Sequence, residues 1–261
     1  AKDIAYNVYG SDGVIRLRDN EPHAVVIEVQ DANGNTTRIP FFIQYDGPVS
    51  SEPSPASAEQ LWPNHVNVFE RENFELITTE KTMYDAVNAT YSATGGLVTN
   101  AVSPVHNFLN ATIPSHDYIT VRIKPVIAIP DEMKDRIVIK NVAGSRTFVA
   151  KAEWQRGWLV AKFRQFGTFQ AFIDNVPPTV NTPPSSLAGV SRLVFNPTDN
   201  FNSIKNFRAE VNGQWLRFTN DKGKTWIYSF DDKFPRGESN LKVIVEDEAG
   251  NVTERTWNLR R

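Results

Sequence analysis

Val29-Gln30-Asp31-Ala32-Asn33-Gly34-Asn35-Thr36-Thr37 and Val245-Glu246-Asp247-Glu248-Ala249-Gly250-Asn251-Val252-Thr253 share the pattern V-x-D-x-x-G-N-x-T. The likeness extends outward. Val25 and Ile27 stand where Leu241 and Val243 stand, and Phe41 and Ile43 where Trp257 and Leu259 stand. Physically this is a hairpin: aspartate opens the turn by accepting from the backbone that follows, glycine takes the left-handed position, and the flanking alternation pairs as strands. One carboxylate and a few amides per loop fall short of the six or more oxygens that calcium takes, so Asp31 and Asp247 are read as turn formers.

The same period of two runs through the rest of the chain. Ile119–Ile123, Arg136–Lys140, Leu159–Phe163 and Leu241–Val245 are short runs rich in β-branched and apolar residues, bounded by Gly, Pro, Asn and Asp. They read as half-buried antiparallel strands. No stretch carries a long i, i+3, i+4, i+7 apolar stripe; Pro130-Asp131-Glu132-Met133-Lys134-Asp135 offers one acidic turn of helix at most. The expected fold class is all-β, with tandem immunoglobulin-like antiparallel β-sandwich domains.

Proline marks the boundaries. Asn175-Val176-Pro177-Pro178-Thr179 breaks the preceding strand and holds an extended backbone. The expected divisions are a partial immunoglobulin-like domain over 1–46, a Pro/Ser-rich linker over 47–64, a middle sandwich over 65–175 and a last sandwich over 176–261. The first module contains only the closing half of a sandwich, so residue 1 is expected to lie inside a domain.

Most chemistry is excluded by composition. There is no cysteine, hence no disulfide, thiol nucleophile or cysteine zinc site. Lys and Arg number 28 against 30 Asp and Glu, a net charge of −2 with the signs interspersed, which argues against a nucleic-acid partner. No apolar run is long enough to span a membrane, and the first twenty residues contain no apolar signal region. The four histidines, His23, His65, His106 and His116, form neither His-x-His nor His-Glu-x-x-His. No G-x-S-x-G elbow or glycine-rich phosphate loop occurs. Acidic pairs such as Asp131-Glu132 and Asp231-Asp232 read as charged turns rather than as a glycosidase dyad. The expectation is no catalytic residue, no cofactor-binding residue and no metal ligand. Of the six tryptophans, Trp226 and Trp257 alternate with apolar residues and read as core, whereas Trp62, beside Pro63, is the candidate ligand or partner contact.

Several segments resemble, in order, the C-terminal non-catalytic β-sandwich region of bacterial lysostaphin/LytM-type zinc metallopeptidases. They are Ser103-Pro104-Val105-His106, Ile123-Lys124-Pro125, Trp154-Gln155-Arg156-Gly157-Trp158-Leu159 and Phe163 to Phe169. The series continues through Asp174 to Val180, Asp199-Asn200, Val211 to Leu216, Tyr228 to Asp231 and the final hairpin. In that family a separate N-terminal domain cleaves peptidoglycan cross-bridges with a zinc held by a His, an Asp and a His-x-His motif. None of that motif is present here, so no catalytic residue carries over. The resemblance implies a non-enzymatic accessory or targeting region in the periplasm or at the cell surface. Its implied partners are an N-terminal peptidase domain of the same longer protein, and peptidoglycan or an envelope protein. A carbohydrate-binding or adhesion module is the alternative.

Overall fold

The computed structural model of the chain describes residues 17, 19–46 and 59–261. The remainder of the expected first module and residues 47–58 of the expected linker lie outside the described residues. The chain divides into two compact units, residues 1–58 and 59–261.

In the first unit β1 (His23–Gln30) and β2 (Thr36–Ile43) pair antiparallel, Val25 opposite Phe41 and Ile27 opposite Ile39. Asp31 Oδ1 accepts the N–H groups of Asn33 and Asn35, each at 2.9 Å, and Gly34 sits at φ +87°. That conformation is why glycine stands there.

The second unit holds two sandwiches. The first contains β3 (Gln60–Leu61), β4 (Val68–Arg71), β5 (Phe74–Ile77), β6 (Val87–Asn88), β7 (Tyr91–Thr94) and β8 (Val105–Phe108). It continues with β9 (Ile119–Ile123), β10 (Ile137–Ala143), β11 (Arg146–Lys151), β12 (Glu153–Gln155), β13 (Trp158–Phe163) and β14 (Gly167–Ile173). Two five-stranded antiparallel sheets run β11-β10-β14-β8-β7 and β12-β13-β9-β5-β4. Inward residues of both, among them Phe74, Phe108, Ile119, Ile123, Leu159 and Phe169, form one core. In β9 buried Ile119, Val121 and Ile123 alternate with half-buried Thr120 and Arg122, the pleat read from the sequence. A single 3₁₀ turn, Asp131–Arg136, precedes β10. Gly167 opens β14 at φ +132°, where a Cβ would collide with the Val142 carbonyl oxygen.

The second sandwich consists of β15 (Arg192–Phe195), β16 (Ile204–Val211), β17 (Gln214–Leu216), β18 (Thr219–Asp221), β19 (Thr225–Ser229), β20 (Glu238–Asp247) and β21 (Val252–Arg260). Its sheets run β15-β19-β18 and β17-β16-β20-β21. These are the B-E-D and C′-C-F-G orders of an immunoglobulin-like sandwich, with β20 and β21 as the F–G hairpin. Leu241, Val243 and Val245 on β20 have no exposed surface and meet Leu193, Phe195, Trp226 and Tyr228 of the facing sheet in a second core.

One boundary differs from the sequence reading. The middle sandwich begins before residue 65, because Leu61 pairs with Val87 and is buried in the first core. The Pro-Pro step separates two cores but not two compact units. A third apolar cluster bridges them, with Ala101, Val138 and Phe172 from one side against Ala249 and Phe201 from the other. The Phe172 and Phe201 rings lie 5.3 Å apart, edge on.

Candidate metal centre at the sandwich junction

Beside that apolar bridge three carboxylates converge. Asp174 follows β14, and its N–H donates to the Arg136 carbonyl at 2.7 Å, which prolongs the β14–β10 edge. Asp199 lies in the loop from β15 to β16, and Asp247 ends β20 at the mouth of the closing hairpin. Carboxylate oxygens of the three lie within 4.8 Å of one another. Asp174 and Asp247 are 1% and 0% exposed.

Neighbouring amides hold each carboxylate in place. Asp174 Oδ1 accepts from the Asn200 side chain at 3.0 Å and from the Val176 N–H at 3.2 Å. Asp247 Oδ1 and Oδ2 accept the N–H and the Nδ2 of Asn251, both at 2.8 Å. Asn251 Nδ2 also donates to the Asp174 carbonyl at 2.9 Å, which ties the hairpin to the end of the other sandwich. The Thr253 hydroxyl donates to the Pro178 carbonyl. Asp199 Oδ2 accepts the Phe201 N–H at 2.8 Å, whereas its Oδ1 is buried with no hydrogen-bond partner. Such an oxygen is costly to leave unmatched.

The electrostatics are unbalanced. Burial pushes the Asp174 carboxyl above the ordinary carboxylate range, with the Asn200 and Val176 donors opposing and the Asp247 charge adding. Asp199 is raised by burial first, then by the charges of Asp174 and Asp247. Glu248, next along the hairpin, is raised mainly by burial. Among the described residues no Lys, Arg or His forms an ion pair with any of the three aspartates. Arg136 opposes the shift at Asp174 through its charge, while its Nη1 reaches the Ala249 carbonyl at 3.4 Å; Lys205 faces Glu246 at 3.6 Å.

This donor set suits a hard divalent cation. Calcium takes oxygens at about 2.3–2.6 Å, so two ligands on opposite sides of the ion are roughly 4.6–5.2 Å apart. The 4.8 Å span of the three aspartate oxygens fits that sphere. A bound divalent cation would offset most of the cluster's charge and give Asp199 Oδ1 a partner. Sequence reasoning counted one carboxylate for the Asp247 loop. The fold supplies the other two from loops distant along the chain, a juxtaposition that the spacing within one loop does not reveal.

The other singled-out residues lie elsewhere. Trp62 is half-buried in the middle sandwich, where its N–H and carbonyl bond the Asn67 side chain at 2.7 and 2.9 Å. His106 is a core residue, stacked on Phe74 and 2.9 Å from the Tyr91 hydroxyl; burial lowers its pKa to about 4. His23 pairs with Asp19 at 2.7 Å, His65 contacts the Pro63 carbonyl and His116 the Tyr84 hydroxyl. Trp226 is buried and Trp257 stacks on Phe195, as the alternation implied. Trp215 is 57% exposed. No helix among the described residues is long and apolar enough to cross a membrane.

Residues 58–174 match the Zu5-like domain family. The matched stretch takes in β3 to β14 and ends on Asp174, the first of the three aspartates. No curated protein matches the chain.

Proposed function

We propose that this chain is a non-catalytic accessory region of a bacterial cell-envelope peptidase of the lysostaphin/LytM type, acting in the periplasm or at the cell surface. Its task is to space the peptidase domain from its target or hold it near the wall, and a divalent cation, calcium by its ligand chemistry, stiffens the strut. The ordered series of short motifs supports the family. The strut reading rests on the junction, where a shared apolar cluster, the Asn251–Asp174 bond and three converging carboxylates join two sandwiches. A spacer needs a fixed angle between its parts, and a cation bridging loops of both sandwiches supplies one.

Thermal unfolding of the metal-free chain, with and without calcium, tests the reading. A ligand at 100 times its Kd that binds only the folded state adds about 2.7 kcal/mol. For a unit of this size that is a rise in Tm of about 5–10 °C. Small-angle scattering should show a narrower distribution of shapes with calcium than in chelator. Unchanged Tm and scattering at millimolar calcium would remove the cation from the strut.

A further inference from the structure

We infer that the second sandwich carries a saccharide-binding groove beside Trp215, independent of the junction and of the peptidase reading. β17 is short and pairs only with Ala209–Val211 of β16. Residues 204–208 of β16 are therefore left uncovered by β17, and a groove of about 270 Å³ opens there, lined also by residues of β17, β18 and β19. Phe207, Phe218 and Trp226 form its aromatic floor, with Phe207 stacked on Trp226 at 5.2 Å and against Phe218 at 5.2 Å. Asn206 and Asn220 line it with amides.

Trp215 stands at the rim. It pairs with Glu210 on the outward face of the sheet, where the apolar core offers it no place. The indole is 57% exposed and so is open to a ligand lying in the groove. The flat apolar face of a pyranose ring stacks on indole, and amide side chains bond the ring hydroxyls. The groove volume accepts one sugar unit with its neighbours running along the rim. Lys205 also lines the groove, but Glu246 at 3.6 Å offsets its charge, so the fitting ligand is a neutral pyranoside chain.

Calorimetric titration of the whole chain with chitotetraose, cellotetraose and maltotetraose tests this, alongside a free peptidoglycan stem peptide. At least one glycan should bind, with Trp215→Ala weakening it tenfold or more. Trp62→Ala should leave the affinity unchanged. Because Trp215 is exposed, Trp215→Ala should keep the wild-type Tm and its response to calcium, which separates a lost contact from a lost fold. Equal glycan affinity in Trp215→Ala would overturn the assignment. So would the absence of binding by all three glycans, or binding of the stem peptide alone.

Discussion

The two closing hairpins share a turn and a register but not an environment. In each, aspartate accepts the N–H of the asparagine four residues on and that asparagine's side-chain amide, and glycine sits at φ +87°. Val25 pairs with Phe41 as Leu241 pairs with Trp257. Yet Val29 is 58% exposed and Val245 is fully buried. The free edge of β20 pairs with β16, and its apolar face meets a second sheet. Among the described residues of the first unit, β1 pairs with β2 alone. The motif thus encodes the turn and the pairing, which are local, while burial comes from strands remote in sequence. The same remoteness makes the junction: Asp247 becomes part of a charge cluster only because Asp174 and Asp199 are folded against it.

The sharpest test exchanges the same residue at equivalent places. Val245→Ala removes two carbons from a packed interior, at about 0.8 kcal/mol each plus a cavity term, for roughly 2–3 kcal/mol in total. Val29→Ala should change stability by no more than about 0.5 kcal/mol, as surface substitutions do. Urea unfolding reads both. A cost at Val29 as large as that at Val245 would mean that the first hairpin is packed as deeply as the second.

This contrast marks how far the sequence could be read. Strand positions and the single turn at Asp131–Arg136 were legible, because alternation and proline act within a few residues. The repeated hairpin was legible as a turn between two paired strands. The start of the middle sandwich was not: Leu61 looks like part of a Pro/Ser-rich linker until Val87 is seen to pair with it. Nor was the carboxylate cluster, whose members come from the end of β14, the β15–β16 loop and the end of β20. Asp199-Asn200 and Asp174-Asn175 had stood out only as matches to a family pattern. The exposure of Trp215 was likewise hidden, since it depends on which strand end β17 leaves uncovered.

A second test uses the opposite titration of the two hairpin regions. Hydrogen bonds led by Asn35 lower the pKa of exposed Asp31, so its contribution is present above pH 3.8 and is lost as pH falls through the folded value. Asp174 and Asp199 are raised by burial. Their contribution is fully present below pH 3.8 and is lost as pH rises through the folded values, so without metal the ionised junction is a liability at neutral pH. His106 acts in the reverse sense, losing stability as pH falls from 6.5 towards about 4, and would mask the trend in the wild type alone. Comparison with Asp199→Asn cancels it. In chelator the variant should be the more stable protein at pH 7.5, by on the order of 1 kcal/mol, since an amide can donate to the remaining carboxylates. The advantage should shrink as pH falls, and in calcium the order should invert. A variant less stable than wild type in both buffers would show that Asp199 holds the loop through its shape rather than its charge.

The smallest difference is expected at the two turn glycines. Both occupy the left-handed region, so Gly34→Ala and Gly250→Ala should each cost about 1–2 kcal/mol of local stability. What separates them is the surroundings. A Cβ at position 34 meets nothing within 4 Å, whereas one at 250 comes within 3.2 Å of Arg136 Nη1 and 3.3 Å of Lys151 Nζ. Both atoms end flexible side chains and can swing aside, but Arg136 would then give up its bond to the Ala249 carbonyl. The excess at Gly250 should be a few tenths of a kcal/mol, the scale of one weak surface interaction. Hydrogen exchange can resolve it at the Asp31 and Asp247 N–H groups, which bond the Asn35 and Asn251 carbonyls across each turn. Equal losses of protection would place Arg136 as a bystander. An excess of several kcal/mol would make its reach across the junction a principal tie between the two sandwiches, ahead of the carboxylates.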